Sequence, residues 1–184
     1  MQTIYCDIDG VLYDWDAAAN HILKRETGKT LTYPSPGWDT LEQEAGPEAW
    51  NQLWTTYVGE LFTRGPAIQG AKETLKELYV HFLVTLVTSR PKEIEEITKI
   101  WLSQENIKFD DLILCGRHTS KPAILPEPPD FFIDDKPSNI VEAQKIWGLS
   151  DEQVFVFPAT YNDDFDHPSK VKGWEEILEK ILGI

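Results

Sequence analysis

The chain has 184 residues, a formal net charge of −14 and 41% hydrophobic residues, which suits one well-packed domain with room for a small inserted lobe. So acidic a chain lacks the basic surface that nucleic acid requires and is repelled by anionic membrane, and no apolar run is long enough to span a bilayer. Two cysteines, Cys6 and Cys115, make no zinc framework; each lies beside an apolar run, as buried thiols in a reducing compartment do, and with no signal-like N-terminus a cytosolic protein is expected.

The first element is the apolar run Thr3 to Cys6, which stops at Asp7-Ile8-Asp9-Gly10. Side chains alternate along a strand, so Asp7 and Asp9 leave the same face while extended, and Gly10 permits the sharp turn that follows. Two crowded acids repel each other unless a cation or a cradle of donors sits between them. That arrangement fits a Mg²⁺-dependent phosphoryl-transfer site with Asp7 as nucleophile and Asp9 as acid and base. A strand end closed by an Asx-type turn would also use these residues.

From Asp14 to Glu26 the spacing of Trp15, Ala18, Ala19, Ile22 and Leu23 predicts a helix stopped by Gly28. Leu31 to Gly46, with two prolines, reads as an irregular connection. Pro47 to Val58 reads as a second helix with Trp50, Trp54 and Tyr57 on one face. Gly59 to Gly70 reads as a loop, so residues 14 to 66 form a helical insertion dense in aromatics. Beyond it come a helix at Ala71–Tyr79, a strand at His81–Val87, and a helix from Pro91 to Glu105 burying Ile94, Ile97, Ile100, Trp101 and Leu102. A strand at Leu112–Cys115, a proline-rich link through Pro129, and a strand at Phe131–Ile133 follow. A helix at Pro137–Trp147, a strand at Val154–Phe157 and a helix at Trp174–Ile181 complete the chain. This alternation is that of a parallel α/β sheet with helices on both faces, whose ligands gather at the carboxyl ends of the strands. The polar clusters Asp7/Asp9, Thr88/Ser89 and Asp134/Asp135 fall at those ends.

Asp7, the Asp9 carbonyl, and Asp134 or Asp135 would supply the oxygen ligands Mg²⁺ prefers. Crowding by Asp7 would favour protonation of Asp9, with the metal acting the other way. Thr88 and Ser89 can hold a phosphoryl oxygen where the next helix begins, or simply cap that helix. Lys121 is the candidate cation beside Asp7, in competition with Arg117; His118 reads as a loop residue. Two look-alikes fail. Gly28-Lys29-Thr30 lacks the first glycine of a phosphate-binding loop, where Leu23 stands. Cys115 to Lys121 has the spacing of a cysteine-phosphatase loop but ends in lysine instead of the bidentate arginine.

Taken in order, Asp7-Ile8-Asp9-Gly10-Val11, Thr88-Ser89, Lys121 and Ile133-Asp134-Asp135 resemble the haloacid dehalogenase-like phosphatase superfamily. The resemblance implies a Rossmann-like parallel sheet formed by residues 1–13 and 67–184, with a helical cap at 14–66 inserted after the first strand. It also implies an aspartyl-phosphate mechanism, with Asp9 favouring phosphatases over dehalogenases. Asp-x-Asp-Gly-Val-Leu-x-Asp, together with Phe62, Ile68-x-Gly70-Ala71 and Trp174-x-Glu176-Ile177, is similar to the 5'(3')-deoxyribonucleotidase group. That implies a nucleoside monophosphate as substrate, its base held beneath the cap by Phe62 and by aromatics such as Trp15. Leu61 stands where that group carries a second aromatic, and the segment around Lys121 is looser than its pattern. Rival readings are a phosphatase for another small metabolite such as a sugar phosphate, a polynucleotide 3'-phosphatase, which the acidity disfavours, and a catalytically silent metal or nucleotide binder. An assembly protein using the aromatic face is a further rival. Oligomeric state is open, a homodimer included.

Overall fold

A computed structural model describes residues 1–117, 119–125 and 127–183. Five strands, β1 (Thr3–Cys6), β2 (Leu83–Thr88), β3 (Asp111–Leu114), β4 (Phe131–Asp134) and β5 (Val154–Val156), form one sheet in the order β3-β2-β1-β4-β5. Every pairing is parallel, with Cys6 level with Leu86 on one side and with Ile133 on the other. Both faces are covered. Phe132 and Val154 pack with Ile140 and Ala143 of α8 (Pro137–Trp147), whereas Ile133 and Phe155 join the larger core on the opposite face. That division is the alternation of a strand buried on two sides, and it explains the near-continuous apolar runs. Alongside α8, helices α5 (Ala71–His81), α6 (Glu95–Gln104) and α9 (Trp174–Leu182) complete the layers.

Between β1 and α5 the chain forms α1 (Trp15–Thr27), α2 (Trp38–Ala45), α3 (Pro47–Thr55) and α4 (Val58–Leu61). Asp14 starts α1 by accepting from the Ala17 N–H at 2.9 Å, and Gly28 ends it in the left-handed conformation. Three of these helices depart from expectation. The Leu31–Gly46 connection contains α2, because Leu41 and Ala45 recur at helical spacing and bury themselves against the neighbouring helices. The helix begun at Pro47 stops at Thr55, and the supposed loop around Gly59 carries α4 instead.

The outgoing and returning linkers of this segment run side by side. The Asp14 N–H donates to the Pro66 carbonyl at 3.0 Å and the Ile68 N–H to the Leu12 carbonyl at 2.8 Å. The Tyr13 hydroxyl donates to the Leu61 carbonyl at 2.5 Å and accepts from the Gly65 N–H at 2.8 Å. Gly65 is obligatory here, since a Cβ would fall 2.6 Å from the Asp14 carbonyl oxygen. In α6, Trp101 is buried and its indole N–H donates to the Gly65 carbonyl at 2.9 Å. Ile100, expected inward, is half exposed, because it falls on the outer side of a helix whose buried stripe runs through Thr98, Trp101 and Leu102.

Candidate active site

Strand order reverses at β1 and β4, and the carboxyl ends of these two strands bring four charged side chains together. Lys121 Nζ lies 2.7 Å from Asp7 Oδ2 and 2.7 Å from Asp134 Oδ2, with its side chain wholly buried. Its position follows from a short helix, α7 (Lys121–Ile124), which Ser120 caps by accepting from the Ala123 N–H. The proline-rich link therefore contains an ordered turn, with Lys121 at its first residue. One oxygen each of Asp7, Asp134 and Asp135 lie within 4.8 Å of one another.

These three acids are not equivalent. Asp134 accepts from Lys121, from the Lys136 N–H at 2.9 Å, and from the Asn139 amide at 3.0 and 2.9 Å on its two oxygens. Both of its oxygens are therefore occupied. Asp7 accepts from the Ile8 N–H at 2.7 Å and meets Lys121. Asp135 accepts from the Tyr161 hydroxyl. Burial pushes the Asp7 carboxyl up to about 7 in spite of Lys121, with Asp134 and Asp9 adding to the rise. Burial, followed by Asp7 and Asp134, likewise lifts Asp135 well above the carboxylate range. Burial opposes the charge on Lys121, but Asp134 and Asp7 outweigh it and hold its pKa above the usual lysine value. Three buried carboxylates around one ammonium leave negative charge uncompensated, and they offer a donor set of hard oxygens suited to a divalent ion such as Mg²⁺. The fit extends to the backbone. Gly10 has φ +82°, and a Cβ there would collide with the Asp135 carboxylate.

Asp9 faces a different partner. Arg90 donates from Nε to Asp9 Oδ2 at 2.9 Å and from Nη2 to Asp9 Oδ1 at 2.7 Å. The expected crowding of Asp9 by Asp7 is thus replaced by a bidentate ion pair, and the Asp9 side chain lies apart from the three-acid cluster. Thr88 is fully buried, and its hydroxyl accepts from the Arg90 N–H at 3.2 Å. Helix α6 begins only at Glu95, after a 3₁₀ turn at Lys92–Ile94, so the Thr88-Ser89 corner is not a helix N-terminus.

A cavity of about 370 Å³ connects these groups to the inserted helices. Asp7, Asp9, Ser89, Arg90 and Asp135 line it together with Trp15, Trp38, Trp54 and Phe62, whereas Thr88 is not on its wall. Trp15 stacks on Trp54 with centroids 5.6 Å apart and lies 4.9 Å from Trp38. Arg117 is not beside Asp7: it is exposed at the cavity mouth, with its guanidinium 3.9 Å from the centre of the Trp54 ring. Geometry therefore separates the two competing cations, giving Lys121 to the acids and Arg117 to the aromatic wall. Phe62 is buried with one face under Arg90, 4.6 Å from ring centre to guanidinium carbon, so it is less available for stacking than the sequence suggests. His118 lies outside the described residues. A larger cleft of about 1050 Å³ shares Asp9, Trp15 and Asp135, and its lining carries Glu175, Glu176 and Glu179 alongside Lys172 and Lys180. An anionic substrate is better matched by the smaller cavity, which holds Asp7 together with Arg117 and Lys136.

Sequence reasoning missed Arg90, Asn139, Tyr161 and Trp38. Arg90 follows directly on Thr88-Ser89, and Asn139 lies in the first turn after Asp134-Asp135, so adjacency to a polar strand end was the available signal for both. Tyr161 and Trp38 had none.

The match of the chain to known proteins agrees with this architecture. Residues 1–183 match the family model for "5' nucleotidase, deoxy (Pyrimidine), cytosolic type C protein". A Halalkalibacterium halodurans protein with a provisional nucleotidase name is 27% identical over 96% of this chain and 94% of its own length. Among solved structures, the haloacid dehalogenase-like hydrolase YfnB of Bacillus subtilis, whose structure was obtained bound to magnesium and reveals interdomain movement, superposes with a TM-score of 0.65. It is 17% identical, with 100% of this chain and 99% of that chain covered. An L-2-haloacid dehalogenase gives a TM-score of 0.67 at 14% identity, with both chains covered completely. On a haloacid dehalogenase-like fold, the chain belongs to the phosphatase family of cytosolic type C 5'-deoxynucleotidases.

Proposed function

We propose that the protein hydrolyses (deoxy)nucleoside monophosphates through an aspartyl-phosphate on Asp7. The observation that carries this reading is the buried Asp7–Lys121 pair, beside a cavity that Asp7 lines together with Trp15, Trp38 and Trp54. Mg²⁺ would be held by Asp7, Asp135 and the Asp9 carbonyl, with Asp134 engaged by its own donors. When bound, such an ion neutralises charge on the phosphoryl oxygens. The B. subtilis structure obtained with magnesium supports that choice of ion.

Asp7 attacks phosphorus and the ester P–O bond breaks. Asp9 gives a proton to the departing nucleoside oxygen. A water then attacks the phosphoryl group, Asp9 takes its proton, and inorganic phosphate leaves as Asp7 is regenerated. Lys121 fixes the Asp7 carboxylate, while Thr88 and Ser89 shape the phosphate corner, Thr88 through its bond to the Arg90 backbone. Residues 14–66 act as a cap that moves about the paired linkers at Tyr13 and Gly65-Pro66 and shields the acyl phosphate from stray water. Trp15 and Trp54 offer the stacking surface for a base, with Arg117 at its rim.

Phosphate release from a panel of nucleoside and sugar monophosphates, with Mg²⁺ and with chelator, tests the proposal. Turnover of nucleoside monophosphates that the chelator abolishes is the expected result. Turnover of sugar phosphates alone would overturn the substrate while leaving the mechanism standing, and turnover undiminished by chelator would overturn the metal.

A further inference from the structure

Arg90 is the most completely anchored charged side chain on the cavity wall. It is 2% exposed, and its guanidinium is gripped on several sides. Nε and Nη2 hold both oxygens of Asp9, while Nη1 donates to Thr98 Oγ1 at 3.1 Å. Thr98 is itself fixed by donating to the Ile94 carbonyl at 3.0 Å. The guanidinium carbon lies 4.9 Å from the centre of the Tyr13 ring and 4.6 Å from that of Phe62. Tyr13 is the residue whose hydroxyl ties the two linkers together. A planar fork held this way fixes a carboxylate in direction as well as distance, which a lysine's single point charge does not.

We propose that Arg90 is the positioning residue for Asp9: its fork sets the direction of the Asp9 carboxyl, one oxygen keeping its Arg90 bond while the other is released to carry the proton to the leaving oxygen, and through Tyr13 and Phe62 it ties that aim to the base of the inserted helices. The inference rests on the reading of Asp9 as acid and base. It differs from a phosphate-binding role, in which Arg90 would act on every substrate alike, and from a purely structural ion pair.

The test uses the whole chain with Mg²⁺ and compares kcat/KM on two esters. Deoxyuridine 5'-monophosphate, or the ester selected by the panel above, has a leaving oxygen that needs a proton, whereas p-nitrophenolate departs without one. Wild type, Asp9→Asn, Arg90→Lys and the double variant are measured. Asp9→Asn should lower kcat/KM on the nucleotide by about 10²–10⁴-fold and far less on p-nitrophenyl phosphate. Arg90→Lys should show the same asymmetry in smaller measure, and the double variant should be no worse than Asp9→Asn alone, because the two side chains act as a unit. Equal losses on both esters after Arg90→Lys, or multiplying losses in the double variant, would overturn the inference. Absence of the asymmetry in Asp9→Asn itself would instead remove the acid assignment, and the inference with it. If Arg90→Lys fails to fold, Thr98→Val decides in its place by the same two outcomes, since it loosens Nη1 while retaining the arginine.

Discussion

Lys121 and Arg90 are both buried cations facing aspartates of the same loop, yet they do opposite things to the charge around them. Lys121 is one ammonium between Asp7 and Asp134, with Asp135 beside them. Arg90 spends a two-pronged fork on Asp9 alone. The first region is left short of positive charge and the second is balanced. Under the proposed mechanism, a site that accepts a divalent ion and a phosphate needs that shortage at the nucleophile, whereas a proton carrier needs a fixed direction and no ion of its own. On that reading the loop separates two jobs between carboxylates two residues apart by giving each a different cation.

The sharpest way to break this contrast is to neutralise the nucleophile. Asp7→Asn should lower turnover by about 10⁴-fold or more while the chain keeps its fold, as read by phosphate release and circular dichroism. Near-native turnover would remove Asp7 from its role. Removing the shared cation comes next. Lys121→Met should destabilise the chain by about 3–5 kcal/mol in urea unfolding, because it leaves Asp7 and Asp134 facing each other unpaired. A change below about 1 kcal/mol would show that the ammonium is not what holds those acids. Gly10→Ala should destabilise by about 1–3 kcal/mol, through its positive φ and its contact with Asp135, and should weaken metal binding at the same time. An unchanged midpoint would contradict the close approach.

The smallest effect concerns pH. The folded Asp7 carboxyl sits near 7, above the unfolded value of about 3.9. Between those values the folded state holds more protons than the unfolded one, so stability falls as pH rises through that window. Asp135 is shifted in the same direction. The metal-free protein should therefore melt a few degrees lower at pH 7.5 than at pH 5, and saturating Mg²⁺ should stabilise it more at the higher pH. A metal-free melting point independent of pH would count against the uncompensated charge.

The nucleophile's half of the contrast is legible in the sequence, and the Asp9–Arg90 half is not. Apolar runs of four to six residues that stop at polar pairs mark strand ends, and the parallel topology then puts Asp7, Thr88 and Asp134 on one rim. Lys121 is the harder residue, since nothing local distinguishes it from a solvated lysine; the order of motifs makes it a candidate beside Arg117. Arg90 was passed over because its partner lies 81 positions away, and Ser89-Arg90-Pro91 reads locally as a turn into a helix. Local composition also masks α2, since Pro34, Pro36, Gly37 and Gly46 flank it closely while only Leu41 and Ala45 carry the periodicity. Arg117 and Lys121 could not be ranked from spacing, because their separation depends on α7 turning Lys121 inward.

Calorimetric titration of Mg²⁺ into wild type, Asp135→Asn and Asp9→Asn at pH 7.5 puts the two regions directly against each other. The account predicts one binding event in wild type, nearly unchanged affinity in Asp9→Asn, and at least about tenfold weaker binding in Asp135→Asn. Equal binding by wild type and Asp135→Asn, or loss of binding with Asp9→Asn alone, would contradict it.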